Sequence, residues 1–311
     1  MSNQLCHEPG GVDVEAGSIA RKADETGHGR RGEDELRAQL HRMWSSVAAG
    51  WAEHAAYADA RGATMTDTML ELSTPAPGER VLELACGAGG AGLAAAERVA
   101  PGGEVVLTDV VAEMTAIAAT RADALGLHNV STRELDLERI DEPDHSYEVV
   151  LCREGLMLVP DPARAVREIR RVLRPGGRVA LSVWGPRERN PWLGVVFDSV
   201  TAELGVPTPP PGIPGPFSLE DADRLAGLLS DSGLADVVVR ALPTPYRAAS
   251  VDEWWTRTCA LAGPLAQRLA ALPDHARNAV RARAREAISV YETPTGLEIP
   301  GLSLVAAAVR V

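Results

Sequence analysis

A lone carboxylate, Glu83, interrupts the apolar run V-L-E-L of Val81–Leu84, and the turn A-C-G-A-G-G-A-G follows at once. A carboxylate near the end of a buried strand is costly unless something satisfies it, and a positively charged ligand group would do so. Gly87, Gly89 and Gly92 let the backbone turn tightly and approach a ligand, while the free N–H groups of the next helix start form a slightly positive rim. The following apolar run, E-V-V-L-T of Glu104–Thr108, ends in Asp109, at the offset where an acidic residue takes ribose hydroxyls. Together these residues predict an adenosine-containing ligand. The glycines also satisfy G-x-G-x-x-G, so NAD and S-adenosylmethionine both stay open on the residues alone.

The elements that hold these residues follow from periodicity. Residues 1–33 are polar and aperiodic and are read as a disordered leader. Residues 34–73 are helical in pattern. From residue 74 to Trp184, short β-branched runs alternate with helical ones, which predicts βαβ units in a parallel sheet with ligands at the C-terminal strand ends. Beyond it come a helix at Asn190–Leu204, the proline-rich loop V-P-T-P-P-P-G-I-P-G-P, a helix at Leu219–Ser232 and a strand at Asp236–Leu242. Ser250–Tyr291 is read as helical and Ser303–Val309 as a last apolar strand.

Five separated motifs stand in order between Val81 and Trp184: V-L-E-L-A-C-G-A-G-G, T-D-V-V-A-E-M, E-L-D-L, Y-E-V-V-L-C-R-E-G-L-M-L-V-P-D-P and R-V-L-R-P-G-G-R-V-A-L-S-V-W. In these the chain resembles the class I S-adenosylmethionine-dependent methyltransferases, in particular the small-molecule branch that includes the ubiquinone and menaquinone biosynthesis enzymes. The resemblance implies an α/β, Rossmann-like, seven-stranded sheet in the order 3-2-1-4-5-7-6 with its last strand antiparallel. It makes residues 34–73 a helical lid and 74–311 the S-adenosylmethionine-binding domain, with a helical insertion at about 248–295 between strands six and seven.

The same resemblance implies residue roles. Glu83 would hold the methionine ammonium beside the turn of Gly87 and Gly89, where Ala85 replaces the first glycine usual in the family. Asp109, with Val110 next to it, would take the ribose hydroxyls. Met114 would cover an adenine face, and Asp136 with the Leu137 backbone would receive the adenine amino group. Arg153 and Glu154, after Cys152, would sit where the cofactor's methionine part meets the acceptor. Each residue also has a structural reading: Glu83 as a helix cap or ion-pair partner, Asp109 as a helix cap, Met114 as core, Asp136 as a loop aspartate, and Arg153 with Glu154 as an ion pair.

A sulfonium methyl is already activated, so transfer needs the acceptor positioned and, for a phenol, an alcohol or a carbon, a base. Of the seven histidines, His41 and His54 lie nearest the implied methyl, and with Arg153 they are the candidate catalytic residues. At about 100° per residue, His41, Trp44, Ala48, Trp51 and Ala55 share one stripe, with His54 at its edge. Trp44, Trp51, Tyr57, Trp192, Trp254 and Trp255 are the candidate walls of the acceptor pocket. Aromatic residues are only 4% of the chain, and their gathering in the lid and C-terminal half favours an apolar, ring-containing, quinone-like or polyketide-like small-molecule acceptor, O- or C-methylated.

Composition narrows the classes further. The 311 residues, 45% of them hydrophobic, suffice for one large α/β core with a subdomain. A net charge of -12 argues against a nucleic-acid partner, and the basic stretch at Arg164–Arg178 lacks interleaved aromatics and reads as a solvated helix face. No run approaches a membrane span, so a cytoplasmic protein without membrane contact is expected, and a homodimer is compatible with the sequence. Cys6, Cys86, Cys152 and Cys259 form no C-x-x-C pair, which predicts reduced thiols and no metal. Two other functions remain on the sequence alone: an NAD-dependent oxidoreductase, and the same fold turned to another reaction such as a cyclisation.

Overall fold

Seven strands pair here; the central ones, largely buried on both faces, read as nearly continuous apolar runs, whereas the two at the edges are half exposed. The seven are β1 (Arg80–Glu83), β2 (Glu104–Asp109), β3 (Val130–Glu134), β4 (Tyr147–Arg153), β5 (Leu173–Trp184), β6 (Ala235–Pro243) and, after three short strands, β10 (Leu302–Val309). In this computed structural model they lie in the order β3-β2-β1-β4-β5-β10-β6. The first five run parallel, and β10 is antiparallel to both β5 and β6. As the seventh strand of the sheet, β10 completes the order that the resemblance implies.

The structure describes residues 35–311 except 209 and 211–213. The leader read at 1–33 lies outside them. The chain divides into two units, 1–40 and 41–311; of the first, residues 35–40 are described and helical.

Within the second unit, successive strand residues point to opposite sides of the sheet. Leu82, Val150, Leu181 and Leu304 enter one core, and Val81, Leu107, Leu151 and Val305 the other. The second core is closed by α2 (Ala55–Ser73), α3 (Gly90–Val99) and α4 (Ala112–Ala124), which follow the short helix α1 (Ala48–Glu53) and contribute Met65, Met69, Leu93, Ala96 and Ala118. The first core is closed by α5 (Pro162–Val172), α6 (Pro191–Leu204) and α7 (Ala222–Asp231). Helix α5 shows why: Asp161 caps it by accepting from the Arg164 N–H at 2.9 Å, Pro162 suits its first turn, and Ala165, Val166, Ile169 and Val172 are buried. Its arginines turn outward, and Arg171 pairs with Glu168 at 2.9 Å and Asp144 at 2.7 Å.

Two stretches differ from the sequence reading. The helix expected over 34–73 is broken: residues 41–45 are helical, a turn follows, and α1 ends at His54 before α2 begins. Ser46 turns its hydroxyl to the Met43 carbonyl at 2.7 Å, a side-chain bond that competes with the helix, and Gly50 lies so close to the Ala260 carbonyl that a Cβ would come within 2.4 Å of its oxygen. One continuous stripe from His41 to Ala55 therefore does not form.

Between β6 and β10 lie three helices, α8 (Val251–Leu261), α9 (Gly263–Ala270) and α10 (Asp274–Ile288), together with a three-stranded sheet of β7 (Tyr246–Ala248), β9 (Gly296–Ile299) and β8 (Glu292–Thr293). That sheet was not read from the sequence. Its strands span two to four residues, too few to display alternation.

Candidate active site

The sheet order reverses between β1 and β4, so the chains leaving their C-terminal ends part and open a crevice. Ala85 leaves β1 with φ +51°, the left-handed conformation that costs an L side chain roughly 1–2 kcal/mol. It is accommodated because residue 155 is glycine, where a Cβ would stand 2.4 Å from that of Ala85. Glu83 is 1% exposed and accepts from the Gly92 N–H at 2.8 Å, capping α3. Burial pushes its carboxyl up to about 7; Arg153 and the Gly92 and Ala91 N–H groups oppose the rise, and Asp59 adds to it.

Asp109 accepts from Gly87 N–H at 2.9 Å and from Val111 N–H at 3.1 Å, so it fastens the glycine turn to the start of α4. Burial raises its pKa, while those N–H groups, that of Val110 and the nearby His41 lower it. The Leu135 N–H donates to the Asp109 carbonyl at 2.8 Å, which brings Asp136 to the same strand ends. Asp136 accepts from the Glu138 N–H at 2.8 Å, and Leu137 is buried in the core. Val110 is exposed at 37%, whereas Met114 packs with Val111 and Ala48 under Trp44 and Trp51.

The structure thus gathers Glu83, Ala85, Gly87, Gly89, Asp109 and Asp136 around one turn, and it sorts the other candidates into two groups. Trp51 lies against Gly87, its ring within 3.6 Å of where a Cβ would stand, and its Nε1–H donates to the Leu261 carbonyl at 3.2 Å. Trp44 stands over Gly263 on the same side. His41 acts electrostatically on Asp109 and Glu113, and His54 occupies the joint between α1 and α2. These residues border β2 and α4. Arg153 donates to Thr66 Oγ1 at 3.0 Å and pairs with Asp59 at 3.5 Å, not with Glu154. Arg121 reaches the same Asp59 carboxylate and the Ala88 carbonyl, so α2 and α4 are tied together across the glycine turn.

The second group lies beyond β4. Trp192 stacks on Tyr246 with centroids 5.4 Å apart and meets Trp184 edge-on at 5.1 Å. Trp254 is wholly buried behind them, its Nε1–H donating to the Trp192 carbonyl at 2.9 Å, and Trp255 meets it edge-on. Tyr57 contacts the Tyr246 ring at 5.4 Å and carries the Arg257 guanidinium 3.7 Å over its face. Among these rings sits Arg61, its Cζ 4.1 Å from Trp192, 4.5 Å from Trp184 and 5.2 Å from Tyr246. Its Nε and Nη2 are shielded from solvent and hydrogen-bond to nothing among the described residues; the hydroxyls of Tyr57 and Tyr246 and Oε1 of Glu154 are in the same state. Such groups cost about 1–3 kcal/mol each, more when charged, and cation–π contact offsets only part of that. Desolvation lowers the Arg61 pKa and raises that of Glu154, each partly countered by the other's charge.

Comparison with known proteins gives the family. The family model described as a methyltransferase domain matches residues 75–191. Nocamycin O-methyltransferase of Saccharothrix syringae is 32% identical over 206 residues, 60% of this chain and 72% of that protein. The chain belongs to the class I S-adenosylmethionine-dependent methyltransferases. The ubiquinone/menaquinone biosynthesis C-methyltransferase UbiE of Ectopseudomonas mendocina is 37% identical over 131 residues; the alignment covers 42% of this chain and about half (51%) of that relative. Among solved structures, the YcgJ protein of Bacillus subtilis has the same fold, with a TM-score of 0.52 at 21% identity over 79% of this chain and 97% of that one. The [4+2]-cyclase SpnF is similar at a TM-score of 0.50 and 24% identity, over 80% of this chain and 81% of that one.

This methyltransferase therefore uses S-adenosylmethionine on a small molecule, and the choice that G-x-G-x-x-G left open falls against NAD. The donor set fits the cofactor: two buried carboxylates at neighbouring strand ends suit an ammonium and a ribose diol, with exposed Val110 beside the second. Asp59, Arg61, Arg121, Trp184, Tyr246 and Arg257 went unread as site residues. The one signal for Arg61 is its i+4 spacing from Tyr57 on α2, which sets both on one helix face.

Proposed function

We propose that this methyltransferase methylates an oxygen or a carbon of a small, largely apolar, ring-containing acceptor. The observation that carries the reading is the aromatic group of Tyr57, Trp184, Trp192 and Tyr246 gathered about Arg61, which interacts electrostatically with Glu154 at the exit of β4. The alternatives of oxygen and carbon come from the relatives, one an O-methyltransferase and another a C-methyltransferase.

Bound S-adenosylmethionine supplies an activated sulfonium methyl. Glu83 holds its ammonium, Asp109 its ribose hydroxyls, Asp136 and Leu137 its adenine edge, and Met114 with Val110 the adenine face. Trp44 and Trp51 cover the turn, while Trp192 and Tyr57 serve as acceptor walls. Arg153, held by Asp59 and Thr66, keeps Glu83 charged when the ammonium is bound. His41 stands by Asp109, where its electrostatic effect opposes in part the rise that burial gives that carboxyl. His41→Ala then weakens cofactor affinity; a general base lost would instead cost a factor of roughly 10² to 10⁴ in turnover at constant affinity.

The test is transfer of labelled methyl from S-adenosylmethionine to a panel of phenols, quinols, cyclic 1,3-diketones, aryl carboxylates and small aliphatic amines and acids. Label on the ring-bearing acceptors is expected. Label confined to the aliphatic ones contradicts the reading.

A further inference from the structure

The guanidinium of Arg61 is presented in a particular way. Three rings surround its Cζ, and the two donors without a partner are Nε and Nη2. In an arginine head these two N–H groups lie side by side on one edge of the plane, the edge that receives two oxygens of a planar anion in parallel hydrogen bonds. No carboxylate of the described residues takes that edge: Asp59 is held by Arg121 and Arg153, and Glu154 makes no ion pair with Arg61 although their charges interact. The Tyr57 and Tyr246 hydroxyls are buried beside Arg61 and act on its charge, and the one nearby carboxyl, that of Glu154, is pushed by burial toward its neutral form, which can donate.

Resting on the reading above that this is the acceptor side, we infer that Arg61 docks a planar, two-oxygen anion of the acceptor, a carboxylate or the enolate of a 1,3-diketone, through its Nε and Nη2 edge. The tyrosine hydroxyls donate to the oxygens' remaining lone pairs. The rings that sandwich the guanidinium also flank the acceptor's apolar body, so the site selects an acidic ring compound over its neutral counterpart. The anion's source, carboxylate or enolate, is separated by the probes.

The experiment uses the full chain saturated with S-adenosylhomocysteine and follows tryptophan fluorescence, since Trp184 and Trp192 adjoin Arg61. Three probes are titrated: 1-naphthoate, the enolate of 2-acetylcyclohexane-1,3-dione, and the neutral 1-naphthamide. At least one anion is expected to bind about tenfold or more tighter than the amide, and which one does so names the source. Arg61→Met is expected to abolish that preference and to leave the affinity for S-adenosylhomocysteine unchanged. Arg61→Lys keeps the stem and the charge but lacks the fork, so it is expected to bind the favoured anion several-fold more weakly with the amide unaffected; it decides the matter should the methionine variant fail to fold. Equal binding of anions and amide by the native chain, failure of both anions to bind, or a preference that survives both substitutions would overturn the inference. Loss of S-adenosylhomocysteine binding by the native chain would count against the cofactor site instead.

Discussion

On the proposed function Glu83 carries two duties on one carboxylate, and they pull its protonation in opposite directions. As the cap of α3 it is buried, which favours the neutral acid and pushes its pKa up to about 7. As the partner of an ammonium it must be ionised. Cofactor affinity is therefore expected to rise about tenfold between pH 6 and pH 8, as the ionised fraction grows from a tenth to nine-tenths. Calorimetry across that range checks it, and a flat profile would contradict the role. The stability contribution runs the other way: with the folded pKa above the ordinary 4.5, it is full below 4.5 and lost as pH rises through about 7. Glu83→Gln keeps an oxygen for the Gly92 N–H but has no charge to gain, so both dependences are expected to flatten. Glu83 and Asp109 were legible as unusual residues because each is an acid at the end of an apolar strand, and in the structure each also satisfies backbone N–H groups at a helix start. Asp59 and Arg61 were not, because charged residues on an amphipathic helix read as a solvated face until the tertiary fold turns that face inward.

At the level of elements, the joint between β1 and β4 rests on a compensation. Ala85 takes a backbone conformation suited to glycine, and Gly155 supplies the space its methyl needs. Gly155→Ala is expected to lower stability by about 1–3 kcal/mol through overpacking, seen as a reduced melting temperature. Ala85→Gly relieves both contacts at the cost of a freer unfolded chain, and it is expected to leave melting and cofactor affinity nearly unchanged. An undisturbed Gly155→Ala variant would refute the compensation. Helix α1 tells a similar story about legibility. Its residues were read as helical, but the chain breaks at Ser46, whose hydroxyl bonds the Met43 carbonyl, and again at His54, and periodicity reveals neither. With Trp51 lying on Gly87, S-adenosylhomocysteine is expected to slow hydrogen exchange across α1 as well as in the turn. Protection confined to the turn would make α1 part of the static core.

For the molecule as a whole, alternation and strand length predicted a parallel α/β sheet, but the strand order came from resemblance, since spacing alone cannot say that β4 pairs with β1. The small sheet of β7, β8 and β9 escaped because its strands are too short to show alternation and because β7 pairs with β9 across about fifty positions, as in Tyr246 with Ile299. What the topology accomplishes is to bring the ends of β1, β2 and β4 to one crevice, with the glycine turn on one side of β4 and the aromatic group around Arg61 on the other. The central claim is that S-adenosylmethionine is held at the β1 and β2 ends through Asp109. Isothermal calorimetry of S-adenosylhomocysteine with the native chain and with Asp109→Ala tests it most directly. One saturable site is expected in the native chain, weakened at least tenfold by the substitution because charge-assisted bonds to the ribose are worth about 1.5–3 kcal/mol each. Equal affinity in the two proteins, with the variant still folded, would contradict it.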